Sequence, residues 1–209
     1  MLVTEVEAPA RVDGRTARAE RTRRAIVDAH LELLNEGDLR PTGERIAERA
    51  GVSLRALWTN FKDMERLFAA TGERLMERQE AEFRPVPADL PLPRRVAEFC
   101  RQRARLLELI GPAARAARIR EPFSAQLRRN RSWYIATVRA EIETLFAAEL
   151  DAAGEGRTEL LDAFIITCTS SPWSMLRDDL GMTVDQATGV MARTVGALLG
   201  IDRASISLA

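Results

Sequence analysis

A chain of 209 residues, 46% hydrophobic and 30% charged, is long enough to bury one sizeable core or two small ones and too apolar to be disordered throughout. Its longest apolar runs, such as 163–166, fall far short of the ~18 residues that suggest a membrane span, and residues 1–10 lack the basic start and apolar stretch of a secretory signal, so the expected location is the cytoplasm. A formal net charge of zero argues against a nonspecific nucleic-acid coat.

Charge is nevertheless uneven along the chain. Residues 11–24 carry six arginines against Asp13 and Glu20, +4 net, whereas residues 25–54 carry three arginines against six acids, −3 net. A basic arm over residues 1–19, read as disordered, thus precedes an acidic helical body. From Arg21 to Asn35 the residues Ile26, Ala29, Leu33 and Leu34 form one apolar stripe, and Gly37 stops it. Thr42 can cap a short second helix with Ile46, Ala47 and Ala50 facing inward, ended by Gly51. Ser53 can cap a third from Leu54 to about Asn60, and Asp63 a fourth carrying Leu67, Phe68, Leu75 and Met76.

Four prolines between Pro85 and Pro93 mark a connector, because proline at that density cannot be helix interior. Beyond it, helices are expected at about 94–109, 112–119, 121–153, 157–180 and 183–199. No segment has strand-like alternation, so the expected class is all-α. Pro172, after the polar stretch 167–171, predicts a kink whose freed backbone groups could meet a ligand.

Catalytic chemistry is easier to exclude than to propose. The single histidine, His30, sits on a face read as exposed, without cysteines or carboxylates at metal-ligand spacing. Cys100 and Cys168 lie far apart in apolar surroundings and read as structural thiols. No catalytic residue, metal or cofactor is expected, and no enzymatic activity.

Residues 42–61 combine two short helices with a tight turn, the helix-turn-helix arrangement in which small turn residues let the helices pack closely. Leu57 and Phe61, four apart, belong with Ile46 and Ile26 in a small core, while Leu54, Arg55, Trp58 and Thr59 fall on another face, where an exposed Leu and Trp beside an Arg suggest a partner. The segment TRRAIVDAHLELLNEGDLRPTGERIAERAGVSLRALWTNFKDMERLFAA resembles the DNA-binding domain of the TetR family of transcriptional regulators, through Gly37, Ile46-Ala47, Ala50-Gly51-Val52-Ser53, Leu57, the aromatic Trp58, Phe61 and Leu67. The resemblance covers about 50 residues. It implies a three-helix DNA-binding domain (20–66) followed by a helical effector-binding and dimerisation domain (67–209), in a repressor released from its double-stranded DNA operator by a small, largely apolar ligand.

On this reading Leu54, Arg55, Trp58 and Thr59 approach base edges, Arg55 being best suited to a bidentate contact with guanine, and Thr42, Ser53, Asn60 and Lys62 approach phosphates. Trp58 stands where the family usually has Tyr, Asn60 where it often has His, and Met64 where it commonly places a phosphate-binding lysine; Lys62 and Arg66 could compensate. The last two helices, with Leu160, Phe164, Leu176, Val190, Met191, Thr194 and Leu198, are the expected homodimer surface. Effector candidates are Phe99, Arg103, Phe123, Trp133, Tyr134, Thr137, Phe164, Cys168, Ser171 and Trp173. The alternative function is a helical interaction protein that uses the same fold to bind a protein partner.

Overall fold

The computed structural model describes residues 14–208, and every regular element among them is helical. The elements are α1 (Gly14–Asn35), α2 (Gly43–Arg49), α3 (Leu54–Asn60), α4 (Met64–Glu82), α5 (Leu92–Arg120), α6 (Ala125–Leu145), α7 (Ala147–Ala152), α8 (Arg157–Thr167), α9 (Ser170–Ser174) and α10 (Val184–Leu198). The expected arm is only partly within view. Residues 14–19 form the first turns of α1 rather than a tail, and residues 1–13 lie outside the described residues.

Two cores organise the chain. The first joins α1 to α4 around Ile26, Leu31, Ile46, Leu57, Phe61 and Leu67, all at most 2% exposed. Its short helices start where side-chain oxygens replace missing backbone acceptors: Thr42 accepts from the Arg45 amide, Ser53 from Ala56 and Asp63 from Arg66. Between α2 and α3, Gly51 turns with φ +66, a left-handed conformation that glycine adopts without a side-chain clash, and the Val52 amide closes the turn on the Ala47 carbonyl. Asp28 of α1 then holds Arg74 and Arg78 of α4, bolting the long helices together.

The second core lies among α5, α6, α8 and α10. Phe99, Phe146 and Phe164 meet in it, with ring centroids 5.3 Å and 5.1 Å apart along the row. Helix α5 runs unbroken through Pro112, where the sequence suggested a break, so that proline forfeits one backbone bond without ending the helix. The expected 121–153 helix is instead interrupted twice, by a 3-10 turn at Glu121–Phe123 and by Phe146 between α6 and α7. Residues 157–180 are likewise divided, into α8, α9 and a wide π turn at Met175–Asp179.

In place of the expected kink at Pro172 the chain breaks earlier, at the extended Thr169 between α8 and α9. Pro172 falls in the first turn of α9, where a backbone N–H has no helical partner anyway, and the carbonyl of Cys168, the residue that ends α8, accepts from the guanidinium of Arg103 at 3.1 Å. Phe164 and Met191, expected at a dimer surface, are 0% and 1% exposed and belong to the monomer core. Val190 and Thr194 are exposed, and the segment after α10 lays Ile206 against Gly196 on a different side of that helix. No described helix is long and apolar enough to cross a membrane.

Candidate nucleic-acid interface

Helix α3 keeps its two faces apart as the spacing predicts. Leu57 and Phe61 are fully buried, whereas Leu54, Arg55 and Thr59 are exposed on the opposite side. Trp58 is only half-buried because its indole lies on the backbone of α2: a Cβ built on Gly43 would come within 2.5 Å of the ring. Trp58 therefore packs α3 onto α2 as well as facing outward, a role the spacing alone did not reveal. Gly43 is the residue that permits it.

The polar residues divide in the same way. Ser53 caps through a lone pair and keeps its hydroxyl proton, Thr42 caps and also bonds the Glu44 carboxylate, and the Thr59 hydroxyl donates to the Arg55 carbonyl at 2.8 Å. The Asn60 side chain folds back to the Ala56 carbonyl at 2.8 Å, leaving one amide proton for a partner. Lys62 is exposed in the α3–α4 turn at φ 23, a conformation uncommon for a residue with a side chain. Met64 begins α4 and packs, half-buried, against the first core, so apolar contact accounts for the residue found there.

Ion pairing decides which cations remain available. Arg49 grips Glu36 through two bonds of 2.7 and 2.8 Å and also faces Glu32, while Arg45 pairs with Asp38. Glu36 is held below the usual carboxylate range by its bond to Arg49. Arg23, counted in the basic segment, donates to the Asn60 carbonyl and stacks 4.3 Å over Phe61, so it anchors the end of α3. Arg55 has no ion-pair partner among the described residues. Arg18, Arg21 and Arg24 are exposed on α1.

A cavity of about 220 Å³ opens behind this unit, between α1, α4, α5 and α6. Of the ten effector candidates, Trp133, Tyr134 and Ser171 line it. Phe99 and Phe164 sit in the aromatic core, Phe123 is 90% exposed, and the Thr137 hydroxyl donates to its own helix. Buried Arg103 binds Glu141 at 3.4 Å and the Tyr134 hydroxyl at 2.7 Å; burial opposes its charge, and these partners outweigh it and raise its pKa. Trp173 donates to Glu108, and burial pushes the free Cys168 thiol up to about 12, leaving it an unreactive core thiol.

His30 overturns its expected exposure. It is 3% exposed and lines the cavity, with Nδ1 2.9 Å from the Thr71 hydroxyl, because its neighbours on α1 pack against α4. Burial first, then the charge of Arg120, lowers its pKa to about 4. Together with Thr71 and Asn130 it lines the cavity, and its spacing of four from Ile26 and Leu34 agrees with that burial, against the exposed reading.

A crystal structure of a transcriptional regulator from Rhodococcus sp. Rha1 has the same fold, at a TM-score of 0.63 over 87% of this chain and 96% of that one, with 16% identity. No family model matches this sequence, and no curated protein matches it.

Proposed function

We propose that this protein is a DNA-binding transcriptional regulator of the TetR kind, a cytoplasmic homodimer in which a small, largely apolar ligand releases a repressor from its operator. The observation that carries the reading is the charge sorting around α3. Arg45, Arg49 and Arg23 are held by Asp38, Glu36 and Asn60, while Arg55 stands unpaired beside exposed Leu54 and Thr59. A guanidinium left free at the outer face of a second helix-turn-helix helix suits bidentate contact with guanine in a major groove. The fold shared with a transcriptional regulator supports the same reading.

In this proposal Leu54, Arg55, Trp58 and Thr59 face bases, and Thr42, Ser53, Asn60 and Lys62 face phosphates. Residues 20–66 read DNA and residues 67–209 bind the effector and dimerise. Helix α4 crosses that boundary, so it can carry strain between the two. The dimer would form on α8 and α10 through exposed Val190, Thr194 and Ile166, with Leu160, Leu176 and Leu198 at its edge.

The test is selection of bound sequences from a random DNA pool, followed by Arg55→Ala. Enrichment of a palindromic site, with a loss of ~1–3 kcal/mol confined to that site in the variant, supports the reading. Recovery of no preferred sequence overturns it.

A further inference from the structure

The cavity behind α1 contains one polar atom whose state can be worked out from its neighbours. The Thr71 hydroxyl donates to the Leu67 carbonyl at 2.8 Å, so its single proton is committed. Toward His30 it can only accept, and Nδ1 of His30 must carry the proton of their 2.9 Å bond. The ring is neutral at physiological pH, since burial and Arg120 disfavour its charged form. Nε2 is therefore a bare acceptor on a residue that lines the cavity, and nothing among the described residues donates to it. Nε2 is not one of the buried unpartnered atoms, so it stays reachable from the cavity, and a ligand that donates to it gains one net hydrogen bond.

The rest of the lining is mostly apolar, with Leu34, Phe68, Leu75 and Ile110 around His30. At about 220 Å³ the space exceeds the roughly 150 Å³ of an apolar cavity that admits benzene. We propose that this cavity binds a compact apolar molecule of one or two rings carrying a neutral hydroxyl or N–H group, which donates a hydrogen bond to Nε2 of His30. This deepens the ligand-switch reading above and rests on it. It also gives the ligand a grip on the reading unit itself: Arg23, two turns before His30 on α1, holds the end of α3. The competing chemistry is an anionic head group, since Arg118 and Arg120 also line the cavity and have no ion-pair partner among the described residues.

Four probes separate these possibilities by calorimetry on the full chain: 4-ethylphenol, ethylbenzene, 4-ethylanisole and 4-ethylbenzoate. The expected result is that 4-ethylphenol binds about two- to twelvefold more tightly than ethylbenzene, the range of one net hydrogen bond. The anisole, which keeps the oxygen but has lost the donated proton, should gain nothing over ethylbenzene. His30→Phe should retain ethylbenzene binding and abolish the phenol's advantage. Should that variant not fold, Thr71→Val serves instead: without its acceptor the ring is no longer held in one tautomer, and the advantage should shrink.

Equal binding of the phenol and the anisole overturns the proposal, as does tightest binding of the benzoate, which would assign the head group to Arg118 and Arg120. Failure of all four to bind also overturns it. Selection from a random DNA pool would still test DNA recognition independently.

Discussion

The helix-turn-helix unit and the helical body behind it differ in how deeply their arginines are buried. In the first, Arg49 and Glu36 pair at the exposed rim, and Arg45 reaches the more covered Asp38 just after α1. In the second, pairs such as Arg139 with Asp162 are also exposed, but Arg95 and Arg103 are buried and donate to backbone carbonyls. Arg103 serves the Cys168 carbonyl at the end of α8, and Arg95 serves the Ala88 and Leu145 carbonyls while binding Glu149. The lesson is that rim pairs mainly determine which cations are free to meet a partner, whereas buried ones hold interrupted helices together.

On this contrast, Arg103→Leu should be the most damaging single change, costing ~3–5 kcal/mol because Glu141 would lose its counter-charge, keeping only its bond from Gln102, and the Cys168 carbonyl would lose its donor. Urea unfolding measures it, and adding Glu141→Leu should recover part of the loss. Arg49→Ala at the rim should shift the midpoint little, and less again in high salt. Similar costs for the two would erase the distinction.

The next largest effect concerns His30, the titratable group shared by both regions. Its folded pKa of about 4 lies below the ordinary 6.5, so between those values the unfolded chain binds the proton that the folded chain refuses. Stability is therefore full above pH 6.5 and falls as pH drops toward 4. Between pH 7 and pH 5 the loss from this group should be about 2 kcal/mol, and His30→Phe should remove that share of the pH dependence.

Gly43→Ala tests whether packing rather than charge seats α3. Its Cβ would fall 2.5 Å from the Trp58 ring, so the indole must move, at ~1–3 kcal/mol. Adding Trp58→Leu should return much of the stability, as chemical denaturation would reveal. An unchanged midpoint in the single variant would mean that α2 and α3 adjust freely. The smallest effect should come from Lys62→Gly, which relieves the φ 23 backbone for a gain of at most ~1 kcal/mol. In a mobility-shift assay the same change should weaken DNA binding if the ammonium meets phosphate.

The helix-turn-helix unit was readable because its contacts are close in sequence. Capping by Thr42, Ser53 and Asp63, the Gly51 turn, and the burial of Leu57 and Phe61 all follow from spacings of three and four residues. The cavity was not. His30 stands four residues after Ile26 and four before Leu34, so the apolar stripe already placed it inward, but its partner comes from α4, 41 positions away at Thr71. Phe99, Trp173 and Cys168 were sensible pocket candidates by residue type, yet they fill the core, since apolar lining and apolar packing use the same side chains.

By itself the sequence determined the helical class, the positions of the caps and connector, and the two faces of α3, all consequences of periodicity and local hydrogen bonding. Only the tertiary structure decided that α5 continues through Pro112, that Arg103 caps the end of α8, and that His30 ends in a cavity with a bare acceptor. Each of these depends on which distant helix supplies a partner. A kinked or buried polar group is tolerated when that partner arrives, and nothing in the local pattern says whether it will.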